Sequence, residues 1–147
     1  MLAVIPSSAA RGVLRELGAL LLGDQILVHA TKGLELESGK TISQMVSEET
    51  AIKKLGVLSG PNIAPEILRG LPAATVVASH YPEVVDVAQR ALTSARFRVY
   101  ANDDVVGVEL GGALKNIIAI ASGIVSGLNL GENTRGLLMT RGLAEIA

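Results

Sequence analysis

Residues 105–130, VVGVELGGALKNIIAIASGIVSGLNL, sort into two faces when read at the roughly 100° per residue of an α-helix. Leu110, Ala113, Leu114, Ile117, Ile120, Ala121, Ile124, Val125 and Leu128 form a broad apolar stripe. Opposite lie Gly112, Asn116, Ala119, Gly123 and Gly127, a face with almost no side chain, and Gly111, Lys115, Ser122 and Ser126 fall between. Glycine costs about 1 kcal/mol per residue in a helix interior. So many of them imply close approach of another backbone or a ligand. The stripe predicts a largely buried helix, with Lys115 beside its closest contact surface.

Two readings of Lys115 stand. Its stem packs while its ammonium reaches water, which residue type alone favours. Or desolvation lowers its pKa so that it can carry a proton. Asn116 beside it is equally a tie between helices or a polar ligand contact.

The 147 residues suffice for one ordinary core. Apolar residues make up 49% but aromatics only 2%, so that core is aliphatic. A mean hydropathy of +0.45 suggests apolar surface that meets a partner or a further segment. A net charge of −1 gives no electrostatic case for nucleic acid or an anionic membrane. The absence of cysteine excludes disulfides and thiolate metal sites and fits a cytoplasmic protein. The MLAVIPSS start lacks the features of a signal peptide, and the uncharged run 116–131 is shorter than the roughly 20 apolar residues of a membrane span. The sequence therefore reads as soluble.

Working back from residue 105, short apolar runs alternate with amphipathic ones. Residues 2–6, 25–30, 56–59, 73–79 and 97–101 read as strands. Helices are expected at about 9–22, capped by Ser7 or Ser8; at 41–55, opened by Thr41 or Ser43; at 63–69, closed by Gly70; and at 82–94, with Pro82 in the first turn. Asn102, Asp103 and Asp104 cap the central helix, and Asn133 or Thr134 caps a last one. Alternation up to residue 103 predicts a doubly wound α/β sheet, and beyond it the chain reads as entirely helical. In such sheets ligands sit at the carboxyl ends of the strands. Pro6-Ser7, Thr31-Lys32-Gly33 and Ser59-Gly60-Pro61-Asn62 fall at such ends, and Lys115 can close the same cleft. No G-x-G-x-x-G follows the first strand, so the pyrophosphate-binding turn of a dinucleotide fold is missing. The chain opens as though in mid-sheet and stops without a helix cap, so both ends read as cut.

Six blocks in order carry a resemblance: Val4-Ile5-Pro6-Ser7, Thr31-Lys32-Gly33-Leu34-Glu35, Ser59-Gly60-Pro61-Asn62-Ile63-Ala64, Phe97-Arg98-Val99-Tyr100, Gly111-Gly112-Ala113-Leu114-Lys115-Asn116 and Thr140-Arg141-Gly142-Leu143-Ala144-Glu145. Along its whole length the chain resembles NAD(P)-dependent glycerol-3-phosphate dehydrogenases. That implies an α/β architecture as part of a longer enzyme: a partial Rossmann-like parallel sheet over 1–103, the C-terminal part of an NAD(P)-binding domain, then the first helices of an all-α substrate-binding domain over 104–147. The resemblance implies reduction of dihydroxyacetone phosphate to sn-glycerol 3-phosphate with NAD(H) or NADP(H), for glycerolipid synthesis. It implies Lys115 as the catalytic proton donor and acceptor. Lys32, Gly60, Asn62 and Asn116 would contact substrate; Pro6, Lys32 and Ala64 would approach the cofactor. No metal is implied; the partners are the small-molecule substrate and a second copy in a homodimer, without nucleic acid or a membrane span.

Each assignment has a plainer counterpart. Lys32 alone reads as a solvated loop lysine, 59–64 as a proline turn into a helix, and 140–145 as packing. His29, within a strand, and His80, on a surface loop, match no role. Two other functions compete: a related hydroxyacid or ketopantoate dehydrogenase, and a non-catalytic remnant acting as an interaction module.

Overall fold

The computed structural model describes residues 1–146. Its elements are β1 (Leu2–Ala3), α1 (Ser7–Gly18), β2 (Ile26–His29), α2 (Ile42–Glu49), β3 (Lys54–Ser59), α3 (Ala64–Leu68), β4 (Ala73–Ala78), α4 (Pro82–Leu92), β5 (Phe97–Asn102), α5 (Val105–Gly127) and α6 (Gly131–Ile146). The strands form one sheet in the order β1-β2-β3-β4-β5. This is the α/β arrangement expected, with helices alone after Asp104.

The sheet is not parallel throughout. β1, β2 and β3 run parallel, but β4 pairs antiparallel with β3, Val57 opposite Ala78, and β5 follows β4 in parallel. The reason lies in the β3–β4 connection. Its helix α3 has five residues, a rise of about 7.5 Å. The six-residue strand β3 is about 20 Å long. Such a helix cannot carry the chain back along the strand, so β4 starts where β3 ends.

Side chains alternate between the two sheet faces. Leu27 joins Ala10 and Leu14 of α1 and Ile42, Met45 and Val46 of α2 in one cluster. Val57 and Ala78 continue that face beneath Val105 of α5. Val28, Leu58 and Val77 point the other way, onto Val84, Val85 and Ala88 of α4. Close backbones fit where glycine stands: a Cβ at Gly18 of α1 would collide with the Glu49 carbonyl that ends α2.

Several expected boundaries move. The 9–22 helix begins at Ser7 behind Pro6, with no side-chain cap from Ser7 or Ser8. The 41–55 helix does start behind Thr41, whose hydroxyl accepts from the Gln44 amide while Gln44 reaches back, a capping box. It stops at Glu49, however, because Lys54 and Leu55 pair with Ile26 and Leu27 as the start of β3. Asp104 caps α5 by accepting from the Gly107 amide at 2.8 Å. α6 starts at Gly131, so Asn133 and Thr134 lie inside it and cap nothing.

The expectation of a largely buried α5 is overturned. Of its 23 residues only Val105, Glu109, Gly112 and Val125 are buried. The predicted stripe is largely in solvent: Ile117, Ile120, Ile124 and Leu128 are each more than half exposed. The sheet takes only the first two turns of the helix, and α6 covers only part of the rest. By length and composition alone α5 would suffice to cross a bilayer. Here its amino-terminal third is instead docked on β3.

Candidate active site

The carboxyl ends of β1, β2 and β3 meet at one edge, and hydrogen bonds fix their loops to each other. Thr31, buried just after β2, donates from its hydroxyl to the Ile5 carbonyl at 2.9 Å and accepts from the Ile5 amide at 3.2 Å. This sets Pro6 beside the Thr31–Glu35 loop. Glu35 holds the far end of that loop on α1, through a two-pronged bond from Arg11 at 2.6 and 2.7 Å. Arg11 also binds Glu49 at 2.6 Å and Glu48 at 3.0 Å. The same guanidinium pulls the Glu35 carboxyl down to about 2, and Arg15 with Arg11 does the same for Glu49.

Lys32 is held between these anchors. Its Nζ donates to the Gly60 carbonyl at 3.0 Å, past the end of β3. Burial lowers its pKa first, and the positive charge of Lys115 lowers it further. The ammonium groups of Lys32 and Lys115 thus lie within electrostatic reach of each other.

α5 enters this site because it has no side chain at residue 112. A Cβ there would lie 2.6 Å from Ser59 Oγ and 3.9 Å from the Lys32 stem. Gly112 therefore lets the helix rest on the end of β3, and Lys115 follows within one turn. Lys115 itself is exposed, and its Nζ donates to Asn116 Oδ1 at 3.1 Å. Of the two readings of Lys115, the exposed position agrees with an ammonium that reaches water; the lowered pKa is found at Lys32.

The structure thus brings Lys32, Gly60 and Lys115 together, with Asn116 tied to Lys115. Asn62 is differently engaged. Its Nδ2 donates to Thr75 Oγ1 at 3.0 Å, while Thr75 donates to the Ser59 carbonyl at 3.0 Å. Asn62 Oδ1 is buried without a partner among the described residues, a free acceptor beside Gly60. Pro6 stands exposed before α1, and Ala64 exposed at the first position of α3.

A cluster that the sequence reading passed over lies beneath this site. His29, the last residue of β2, is fully buried, with Nε2 3.1 Å from Ser43 Oγ and 3.4 Å from Glu109 Oε1. Glu109 also accepts from the Ser43 backbone amide at 2.9 Å. Burial lowers the His29 pKa, and Glu109 opposes that shift. The available signal was a lone carboxylate among the apolar residues of 105–114.

The residues present suit part of a nicotinamide dinucleotide. α1 starts at the carboxyl end of β1 with no side-chain cap and no acidic residue in its first turn, leaving amide donors for an anionic or amide group. Lys32 adds a cation at the same edge. The chain supplies no glycine-rich turn for the pyrophosphate.

Comparisons with known proteins agree with this geometry. Residues 1–85 match the model of the NAD-dependent glycerol-3-phosphate dehydrogenase N-terminus, and residues 104–147 that of its C-terminus. A glycerol-3-phosphate dehydrogenase [NAD(P)+] of Dehalococcoides mccartyi is 46% identical over 150 residues, covering 100% of this chain and 42% of that protein. One from Moorella thermoacetica is 50% identical, covering 97% of this chain and 42% of its own length. The crystal structure of the Coxiella burnetii glycerol-3-phosphate dehydrogenase superposes with a TM-score of 0.91 at 41% identity, over 99% of this chain and 44% of that one. The chain spans about two fifths of the length of the curated relatives it matches. By sequence and fold alike, this chain belongs to the NAD-dependent glycerol-3-phosphate dehydrogenase family.

Proposed function

We propose that this chain carries the substrate-reducing part of an enzyme that interconverts dihydroxyacetone phosphate and sn-glycerol 3-phosphate, feeding glycerolipid synthesis. The observation that carries the reading is the convergence of Lys32 and Lys115 at the carboxyl end of β3, where Gly112 admits α5. Reduction of a ketone adds a hydride at carbon and a proton at oxygen, and the oxygen gains negative charge on the way. When bound, the reduced nicotinamide of NADH or NADPH supplies the hydride. Lys115 delivers the proton to the oxygen and takes it back in the reverse direction, with Asn116 orienting its ammonium. Lys32, Gly60 and Asn62 bind substrate; Pro6, Lys32 and Ala64 lie along the cofactor.

The division at 103/104 is supported by the change from strands to helices at Asp104 and by a family model that begins there. We take the compartment to be the cytoplasm and the assembly to be a homodimer, the latter checked by sedimentation.

The test is oxidation of NADH and NADPH with dihydroxyacetone phosphate, for this chain and for Lys115→Ala. Turnover that vanishes in the variant supports the assignment. If this chain turns nothing over, the same pair is compared in an enzyme of relatives' length; full activity of Lys115→Ala there refutes the role of Lys115. Preference for 2-ketopantoate would favour the hydroxyacid-type alternative. A second reading, an interaction module, is favoured by the exposed isoleucines of α5; stoichiometric binding of a defined protein without turnover would support it.

A further inference from the structure

The proposed reaction makes no use of the buried His29–Ser43–Glu109 cluster, yet the cluster joins the two segments that bear the lysines. His29 ends β2 three residues before Lys32, and Glu109 lies on α5 six residues before Lys115. Both side chains are almost completely buried, at 0% and 3% exposure. The third member, Ser43, is the second residue of α2, and its backbone amide is one of the donors that a helix start leaves without an intrahelical partner. Thr41 satisfies the amide of Gln44. The amide of Ser43 is satisfied from another helix, by Glu109 Oε1 at 2.9 Å.

We infer that Glu109 is a positioning residue: by capping α2 from within α5, it fixes α5 on β3 and so sets where Lys115 stands relative to Lys32. The chemistry suits the task. A carboxylate at a helix amino terminus is favoured by the helix dipole, and a buried one left without its donor is costly, so the contact is all or none. The apolar contacts of α5 to the sheet come from one end of the helix, Val105 and Val108. Val105 packs on Val57 and Ala78, and Gly112 supplies closeness but no grip. The inference depends on the proposed reaction only for its catalytic consequence, because the spacing can be read without turnover.

Lys32 is the ruler. The two influences that lower its pKa are its own burial and the charge of Lys115. Its ammonium is followed by NMR titration in this chain and in Lys115→Ala, Glu109→Ala and Glu109→Gln. Lys115→Ala should raise the Lys32 midpoint, because one nearby like charge is removed. Glu109→Ala should raise it similarly, because α5 is no longer held. The sign is diagnostic: loss of a negative charge by itself would lower the midpoint of a lysine. Glu109→Gln, whose amide oxygen still accepts from Ser43 but which lacks the charge, should leave the midpoint at or slightly below its original value and never raise it. Should the alanine variant fail to fold, Glu109→Asp keeps the charge but shortens the reach, and should also raise the midpoint. The inference is overturned if Lys115→Ala moves Lys32 while the alanine and aspartate variants do not, or if Glu109→Gln behaves like alanine. It is equally overturned if Lys115→Ala leaves Lys32 unmoved. Loss of turnover in Lys115→Ala addresses the proposed reaction separately, so the two can fail independently.

Discussion

The sheet with its three long helices and the α5–α6 pair are built on opposite principles. In the first, alternating strands meet helices on both faces, and Leu14, Leu27, Met45, Val77 and Val84 are fully buried. In the second, α5 is the more hydrophobic helix, yet Ile117 and Ile120 are 63% and 66% exposed. What fixes α5 on the sheet is a glycine and a buried glutamate, with Val105 and Val108 its apolar contacts to Val57 and Ala78. Hydrophobicity therefore does not locate the core in this molecule; partnership does. The weakly packed helix is also the one that carries Lys115, so the proposed chemistry sits on the element whose position depends most on a few polar contacts.

Substitutions can break that contrast. Leu27→Ala, in the fully enclosed α1–α2 cluster, should cost about 2–5 kcal/mol by urea denaturation, the range for emptying a core leucine site. Gly18→Ala should cost about 1–3 kcal/mol in the same assay, because its methyl would meet the Glu49 backbone, which cannot turn aside. Gly142→Ala in α6 would bring a methyl against Cδ1, Cγ1 and Cγ2 of Ile118, a β-branched side chain with one preferred χ1 in a helix. The helix preference for alanine offsets part of that overlap, and the net cost should be about 1 kcal/mol. Ile120→Ala on the open stripe should fall within about 0.5 kcal/mol. A cost for Ile120→Ala like that of Leu27→Ala would show that α5 is buried in solution and erase the distinction.

Acid sharpens it further. The folded pKa values of Glu35 and Glu49 are about 2, below the ordinary 4.5, so their stabilisation is complete above pH 4.5 and is lost as pH falls towards 2. The His29 pKa is also lowered, so its unfolded form binds a proton more readily and stability begins to fall once pH drops below 6.5. All three groups sit on or beside α1, α2 and β2. Hydrogen exchange should therefore show the amides of α1 and α2 losing protection on acidification; preferential loss along α4 and β5 would contradict the network described.

Much of the site was legible because local chemistry is written locally. Thr41 and Asp104 are strong helix caps, Gly70 a strong terminator, and Lys32 and Gly60 sit where strands of this kind end. Less legible were the features decided between distant segments. Asn62 reads as a ligand contact in its motif, but the structure binds its amide nitrogen to Thr75. Glu109 reads as one turn of an apolar helix, and its partners lie 66 and 80 residues away in sequence.

By itself the sequence determined the order of strands and helices, the place where strands give way to helices, and the family, because periodicity, caps and collinear motifs are properties of neighbouring residues. Tertiary structure alone decided three things. It set the reversal of β4 against β3, which follows from the reach of a five-residue helix. It decided which apolar face of α5 is covered, since burial requires a partner surface. And it joined His29, Ser43 and Glu109 into one buried contact beneath the two lysines, because only the folded chain brings three separated polar groups within hydrogen-bonding range and out of water.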